Sequence, residues 1–131
     1  MRRTHTISVS ILRPLAEVYA YLATPINYEQ WAAVDKGSLK PLDNGDWQAE
    51  TPFGLRHFRF SPPNPHGVLD HAIFAPGGEV IYNPMRVVAN EEGSELSFMF
   101  FRREGMSDAE FSSAVEWITT DFLALKSLLE A

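Results

Sequence analysis

The stretch EVYAYLATPINYEQWAAV, residues 17–34, begins as an amphipathic helix and is interrupted at Thr24 and Pro25. Pro14 precedes the stretch and suits the first turn of a helix, where its missing N–H costs nothing. Thr24 is placed to cap a second short helix, which has Pro25 at its first position and runs to about Trp31. We therefore predict two short helices here, and we expect them to close one end of a curved sheet.

The segments on either side of these helices have strand patterns. Between Thr4 and Leu12, apolar and polar residues alternate with the period of a half-buried strand. After Gly37 the chain is divided by turn signals, of which Asp43-Asn44-Gly45-Asp46 is typical of a hairpin. These signals predict six further strands, at about 38–42, 46–51, 55–60, 68–75, 79–89 and 95–102.

The C-terminal segment predicts one long helix. Ser107 and Glu110 have the spacing of a capping box. Apolar residues then recur at spacings of three and four: Phe111, Val115, Ile118, Phe122, Leu125 and Leu129, with Ala114, Trp117 and Leu128 beside them. A stripe this wide needs a concave partner, and a curved antiparallel sheet supplies one.

Composition limits the function. The 131 residues suit one domain, and a net charge of −6 argues against a nucleic-acid partner. No apolar run reaches the ~18 residues of a membrane helix, so no membrane span is expected. The absence of cysteine excludes disulfides and thiolate sites. No pattern predicts a metal site or a cofactor, and we expect a soluble, cytoplasmic protein.

The order of strand, two short helices, six antiparallel strands and long helix resembles the helix-grip arrangement of the START-like superfamily, also called SRPBCC. The stretches that carry the resemblance are EVYAYLATPINYEQW, YNPMRVV and FRREGMSDAEF; the bacterial polyketide-cyclase/dehydrase-like branch is the most similar. The resemblance implies an α+β fold, in which a curved seven-stranded antiparallel sheet wraps around the C-terminal helix. It also implies a single ligand-binding domain over residues 1–131 with an internal apolar cavity, and it identifies no catalytic residue.

Hairpin registers taken from the turns assign the side chains that face this cavity. Pairing Phe74 with Glu79 around the turn at Ala75–Gly78 places Asp70 opposite Asn83. The other two hairpins are predicted to pair Phe60 with Val68, and Ala89 with Ser94, which places Met85 opposite Phe98. A slip of one residue would turn His71 inward in place of Asp70. The candidate ligand-binding residues are Arg56, Phe58, Asp70, Phe74, Asn83, Met85, Phe98, Phe100, Trp117 and Ile118.

Three functions are open at this point. The first is binding of a small or medium hydrophobic ligand, such as a lipid, a polyketide or an aromatic compound. The second is a cyclase- or dehydratase-type enzyme, with Asp70 or an inward-turned His71 as general base. The third is a protein-binding module like the co-chaperones of this superfamily. Alternatively, Arg56, Asp70 and Asn83 form a purely structural polar network.

The strand ELSFMFF, residues 95–101, is apolar on both faces. On its second face, Met99 and Phe101 are expected beside Tyr82, Leu69 and Ile73. A contiguous apolar patch often marks an interface. We therefore expect weak association into a homodimer.

Overall fold

The computed structural model describes all 131 residues and has eight strands, two α-helices and one 3-10 helix. In chain order the elements are β1 (Thr4–Ile11), α1 (Leu15–Leu22), the 3-10 helix (Pro25–Gln30), β2 (Lys40–Pro41), β3 (Trp47–Thr51), β4 (Gly54–Phe60), β5 (His71–Phe74), β6 (Ile81–Asn83), β7 (Met85–Asn90), β8 (Gly93–Phe101) and α2 (Asp108–Glu130). Antiparallel strands with a long C-terminal helix give the expected α+β architecture.

The strands form two sheets, so the prediction of one seven-stranded sheet is wrong. One sheet has the order β1-β8-β7 and the other β2-β3-β4-β5-β6. The additional strand arises because the run predicted at 79–89 is divided at Pro84, which has no N–H to donate to a ladder. The sheets remain joined at this corner: the Met99 N–H donates to the Pro84 carbonyl (3.1 Å), and the Leu69 N–H donates to the Met85 carbonyl (2.8 Å).

The two helical segments after β1 lie where they were predicted. The second is a 3-10 helix, however, and Thr24 does not cap it, because its hydroxyl donates to the Ala20 carbonyl at 2.8 Å. Tyr28 packs against the ring of Phe58 with centroids 5.3 Å apart, and Trp31 packs against Phe122 at 6.0 Å. The segment therefore covers the inner face of β4 and contacts α2.

The C-terminal helix begins with the predicted capping box. The Glu110 N–H donates to the Ser107 hydroxyl (3.1 Å), and the Ser107 N–H donates to the Glu110 carboxylate (3.0 Å). The main core joins three side chains of α2 to all three strands of the first sheet and to α1. Its buried members are Ile7, Ile11, Val18, Leu69, Met85, Val87, Leu96, Phe98, Phe100, Phe111, Phe122 and Leu125. No helix is long and apolar enough to span a membrane.

The register of β5 differs from the predicted one. His71, rather than Asp70, pairs with Asn83. Because successive side chains of a strand point to opposite faces, this shift turns His71 inward and turns Asp70 and Phe74 outward. The β7–β8 register is as predicted, with Met85 opposite Phe98.

The loops that flank β5 cause the shift. After β5, Ile73 pairs with Ile81, so the ladder ends one residue earlier on β5 and begins two residues later on β6 than predicted. Before β5, Val68 bridges to Arg86 of β7 and does not extend the β4 ladder. Each loop is therefore longer than predicted by an odd number of residues, and this inverts the facing of β5 relative to β4 and β6.

The apolar patch predicted beside β8 is interrupted. Leu69 is buried in the core and Ile73 lies on the inner face, which leaves Met99, Phe101 and Tyr82 exposed. Homodimerisation therefore remains a prediction, and the exposed apolar patch that supports it is smaller than expected.

Candidate functional site

A cavity of about 670 Å³ lies between α2 and the inner faces of the strands. Most of its lining is apolar, and its volume is typical of a small-molecule site. Its principal wall residues are Tyr28, Trp31, Phe53, Arg56, Phe58, His71, Ile73, Ile81, Asn83, Met85, Phe98, Phe100, Arg103, Ala114, Trp117, Ile118, Asp121 and Phe122. The cavity thus reaches both the helix–sheet junction and the 3-10 helix.

The structure places most of the predicted ligand-binding residues in this wall. They are Arg56, Phe58, Asn83, Met85, Phe98, Phe100, Trp117 and Ile118. The prediction is wrong for Asp70 and Phe74, which the β5 register turns outward. The Phe74 ring lies 5.4 Å from the Arg59 guanidinium and 5.6 Å from the His57 ring, outside the cavity.

Asp70 has a structural place on the outer face. Its carboxylate accepts hydrogen bonds from the Met85 N–H (2.7 Å) and from the Tyr82 hydroxyl (2.6 Å). The bond to Asp70 raises the pKa of the Tyr82 phenol, because the phenol donates to it. The carboxylate therefore holds the corner at Pro84, where the strand ladder is interrupted. The predicted trio of Arg56, Asp70 and Asn83 does not form.

His71 and Asn83 are the cross-strand pair on the inner face. They are 5% and 7% exposed. The His71 Nδ1 lies 3.2 Å from the Leu69 carbonyl oxygen. Because a carbonyl can only accept, Nδ1 carries the proton of the neutral ring, and Nε2 carries the free lone pair. Burial lowers the pKa of His71, so the ring is neutral at pH 7.

The remaining polar atoms of this pair have no protein partner. Neither the Asn83 amide nor the His71 Nε2 forms a hydrogen bond within the chain. The single fully sealed side-chain polar atom without a partner is the Tyr21 hydroxyl, so the groups of His71 and Asn83 keep access to the cavity. The His71 ring is surrounded by the rings of Tyr28, Phe60 and Phe98, with centroids 5.9, 6.1 and 6.2 Å away.

Asp121 and Tyr28 add a second polar region. Asp121 projects from α2 without a hydrogen bond, and burial raises its pKa to about 6. Burial, and then the charge of Asp121, raise the pKa of Tyr28, so its hydroxyl stays protonated. At neutral pH the site thus offers a phenol donor and a weakly basic carboxylate.

The cavity opens between the β3–β4 turn and α2. The Phe53 ring lies 6.0 Å from the Trp117 ring across this opening, and both residues are exposed. Arg56 and Arg103 also line the cavity, and neither forms a salt bridge. The Arg56 Nη1 donates to the Leu55 carbonyl at 2.8 Å.

Sequence reasoning missed Tyr28, Arg103 and Asp121 as wall residues. The sequence does indicate Asp121 as a candidate, because it lies three residues after Ile118 and interrupts the apolar stripe of α2. A charged residue within the inward arc of a helix is costly unless it faces water or a ligand.

Comparison with known proteins identifies the fold. No protein-family model matches the chain, and no curated protein matches it. Among solved structures, an uncharacterized protein from Bacillus thuringiensis aligns with a TM-score of 0.77 at 16% identity, covering 98% of this chain and 100% of that one. A START superfamily protein from Mycobacterium smegmatis gives 0.69 at 12% identity, with coverages of 99% and 98%. Ara h 8.0201 gives 0.71 at 14% identity, with both coverages 98%.

Proposed function

We propose that this chain, which has the START-like helix-grip fold, binds a small or medium hydrophobic ligand between α2 and the sheets. Lipids, polyketides and aromatic compounds have the required chemistry. The observation that carries the proposal is the cavity of about 670 Å³, apolar over most of its wall. A ligand that covers this wall gains about 25 cal/mol for each Å² of apolar surface removed from water. The few unpaired polar groups would orient it.

Binding of the neutral fluorescent probe N-phenyl-1-naphthylamine tests the proposal. Ala114 lines the cavity, so Ala114→Phe should fill part of it and weaken the affinity at least tenfold. Ala124 lies on the exposed side of the same helix, and Ala124→Phe is the matched control with unchanged affinity. Failure of the parent protein to bind the probe, or equal affinities of the two variants, would overturn the proposal. Native mass spectrometry of the purified protein would identify a co-purified ligand.

The free Nε2 of His71 favours a second candidate function, acid–base catalysis of the cyclase or dehydratase kind. A neutral imidazole in an apolar cavity can take a proton from a carbon next to a carbonyl. The Asn83 amide beside it could donate a hydrogen bond to the enolate oxygen that forms. Asp70, the other candidate base, lies on the outer face and cannot reach the cavity.

Deuterium exchange at the α-carbon of 2-tetralone in D₂O tests this second function. The parent protein should accelerate the exchange, and His71→Phe should abolish the acceleration. Asp70→Asn should retain it, because the Asp70 side chain lies outside the cavity. Exchange at the uncatalysed rate in the presence of the parent protein would remove the catalytic candidate and leave the binding function in place.

A further inference from the structure

We infer that the ligand carries a hydroxyl group on an aromatic or enolic ring, held between His71 and Asn83. This inference rests on the proposed binding function and specifies the ligand class. In this arrangement the hydroxyl donates a hydrogen bond to the His71 Nε2 and accepts one from the side-chain amide of Asn83.

The tautomer of His71 determines which groups it can bind. Its Nδ1–H is directed to the Leu69 carbonyl, so Nε2 can only accept while the ring is neutral. Ethers, ketones, esters and carboxylates present no donor to Nε2 and leave it unpaired. A hydroxyl or an N–H presents one.

Asn83 further limits which ligand groups can bind beside His71. Its amide lies across the strand pair from His71 and on the same face, where opposing Cβ atoms are about 4.5–5.5 Å apart. One atom between the two side chains can therefore contact both. A hydroxyl oxygen donates one hydrogen bond and accepts another, whereas a ring N–H donates and does not accept. A hydroxyl therefore satisfies both side chains through a single oxygen atom.

The aromatic side chains around His71 favour a ligand that contains a planar ring. Tyr28, Phe60 and Phe98 present their rings around His71 at centroid distances of 5.9–6.2 Å. Aromatic groups pack in tilted or edge-to-face arrangements at such distances. A planar ring that carries the hydroxyl can thus reach the pair along an aromatic wall.

The contacts of the pair show no structural role for it. Polar side chains in a core bond to protein groups or to ordered water. Nε2 of His71 and the Asn83 side-chain amide have no protein partner, although both residues are more than nine-tenths buried. A site with such unpaired groups discriminates strongly against an analogue that lacks the matching hydroxyl.

Three naphthalene probes test the inference at pH 7. 2-Naphthol donates and accepts, 2-methoxynaphthalene only accepts, and 2-methylnaphthalene does neither. We expect 2-naphthol to bind at least tenfold more tightly than the other two, by isothermal titration calorimetry. His71→Phe should bring 2-naphthol to the affinity of 2-methoxynaphthalene, without weakening 2-methylnaphthalene. His57→Phe makes the same replacement on the outer face and should preserve the preference.

The outcomes separate this inference from the proposed function. Equal affinities of the three probes in the parent protein, or a preference that survives His71→Phe, would overturn the inference and leave the binding function intact. If these probes and N-phenyl-1-naphthylamine all fail to bind, both are overturned. A direct readout is the ¹⁵N NMR spectrum of His71 in the free protein at pH 7. It should show a protonated Nδ1 and a pyridine-like Nε2, and the opposite tautomer would contradict the inference.

Discussion

Asp70 and His71 are adjacent in the chain and serve opposite faces of the same sheet. The Asp70 carboxylate accepts hydrogen bonds from Tyr82 and Met85 on the outer side, while the His71 ring is buried on the cavity side. One residue position therefore separates a structural group from a candidate binding group. Substitutions at the two sites should have separable effects on stability and on binding.

Removal of the Asp70 carboxylate should destabilise the protein and leave the cavity unchanged. Asp70→Ala deprives the Met85 N–H and the Tyr82 hydroxyl of their acceptor. We expect the free energy of unfolding to fall by about 1–3 kcal/mol in urea denaturation. Tyr82→Phe removes one of the two bonds at an exposed position and should cost less. A loss of N-phenyl-1-naphthylamine binding at unchanged stability would contradict this assignment.

His71 should make the protein less stable in mild acid. Burial lowers the pKa of His71 below its usual 6.5, so the unfolded chain binds a proton that the native state does not. The free energy of unfolding should be unaffected by this group above pH 6.5 and should fall below it, by at most about 1.4 kcal/mol per pH unit. His71→Phe should remove this component from urea denaturation measured between pH 5 and 7. An identical pH profile for the variant would refute the assignment.

Asp121 should have the opposite pH dependence. Burial raises its pKa from 3.8 to about 6, so the native state holds a proton between these values that the unfolded chain has lost. The resulting stabilisation is complete below pH 3.8 and is lost as the pH rises through 6. At pH 7 the ionised group should therefore cost about 1–2 kcal/mol, allowing for the solvent that screens it.

Asp121→Asn should recover this free energy at pH 7 and show no gain near pH 4. Glu116→Gln is the control, because Glu116 lies exposed on the same helix. Differential scanning calorimetry at the two pH values provides the comparison. A gain that is equal at both would show that the Asp121 charge is not the cause.

Replacement of Gly67 by alanine should destabilise the protein far more than replacement of Gly77. Both have positive φ, +68° and +75°, but a Cβ at Gly67 would lie 2.1 Å from the Val87 carbonyl oxygen, whereas Gly77 has open space. Gly77→Ala should cost about 1–2 kcal/mol of backbone strain. Gly67→Ala should cost about 2–3 kcal/mol more, because β7 must move. Equal melting temperatures of the two variants would contradict this contact.

Local sequence chemistry predicted the parts of the fold that short segments determine. The capping box of Ser107 and Glu110 and the apolar stripe behind it define α2 without tertiary information. The β7–β8 register was predictable because Asn90 pairs with Gly93 around a two-residue turn, which leaves no freedom of register. The order of elements followed from the same signals.

The facing of β5 could not be predicted in this way. Loops of several residues precede and follow it, and nothing local decides whether such a loop holds an odd or an even number of residues. For that reason the predicted register assigns Asp70 to the inner face, where the structure places His71. Pro84 indicates a strand break in the sequence itself, because proline cannot donate to a ladder. Treating 79–89 as one strand therefore gives one strand too few.

The contact between Phe53 and Trp117 bears on the kinetics of ligand exchange. These rings meet across the opening from a hairpin turn and from α2, two elements that no covalent or ionic link joins at this point. We predict that the turn must move for a ligand to pass these rings, so that the frequency of this motion limits the association rate. Compounds of very different affinity should then enter at one common rate and differ in how long they reside. Phe53→Ala should accelerate entrance and escape together, and stopped-flow fluorescence would resolve the two.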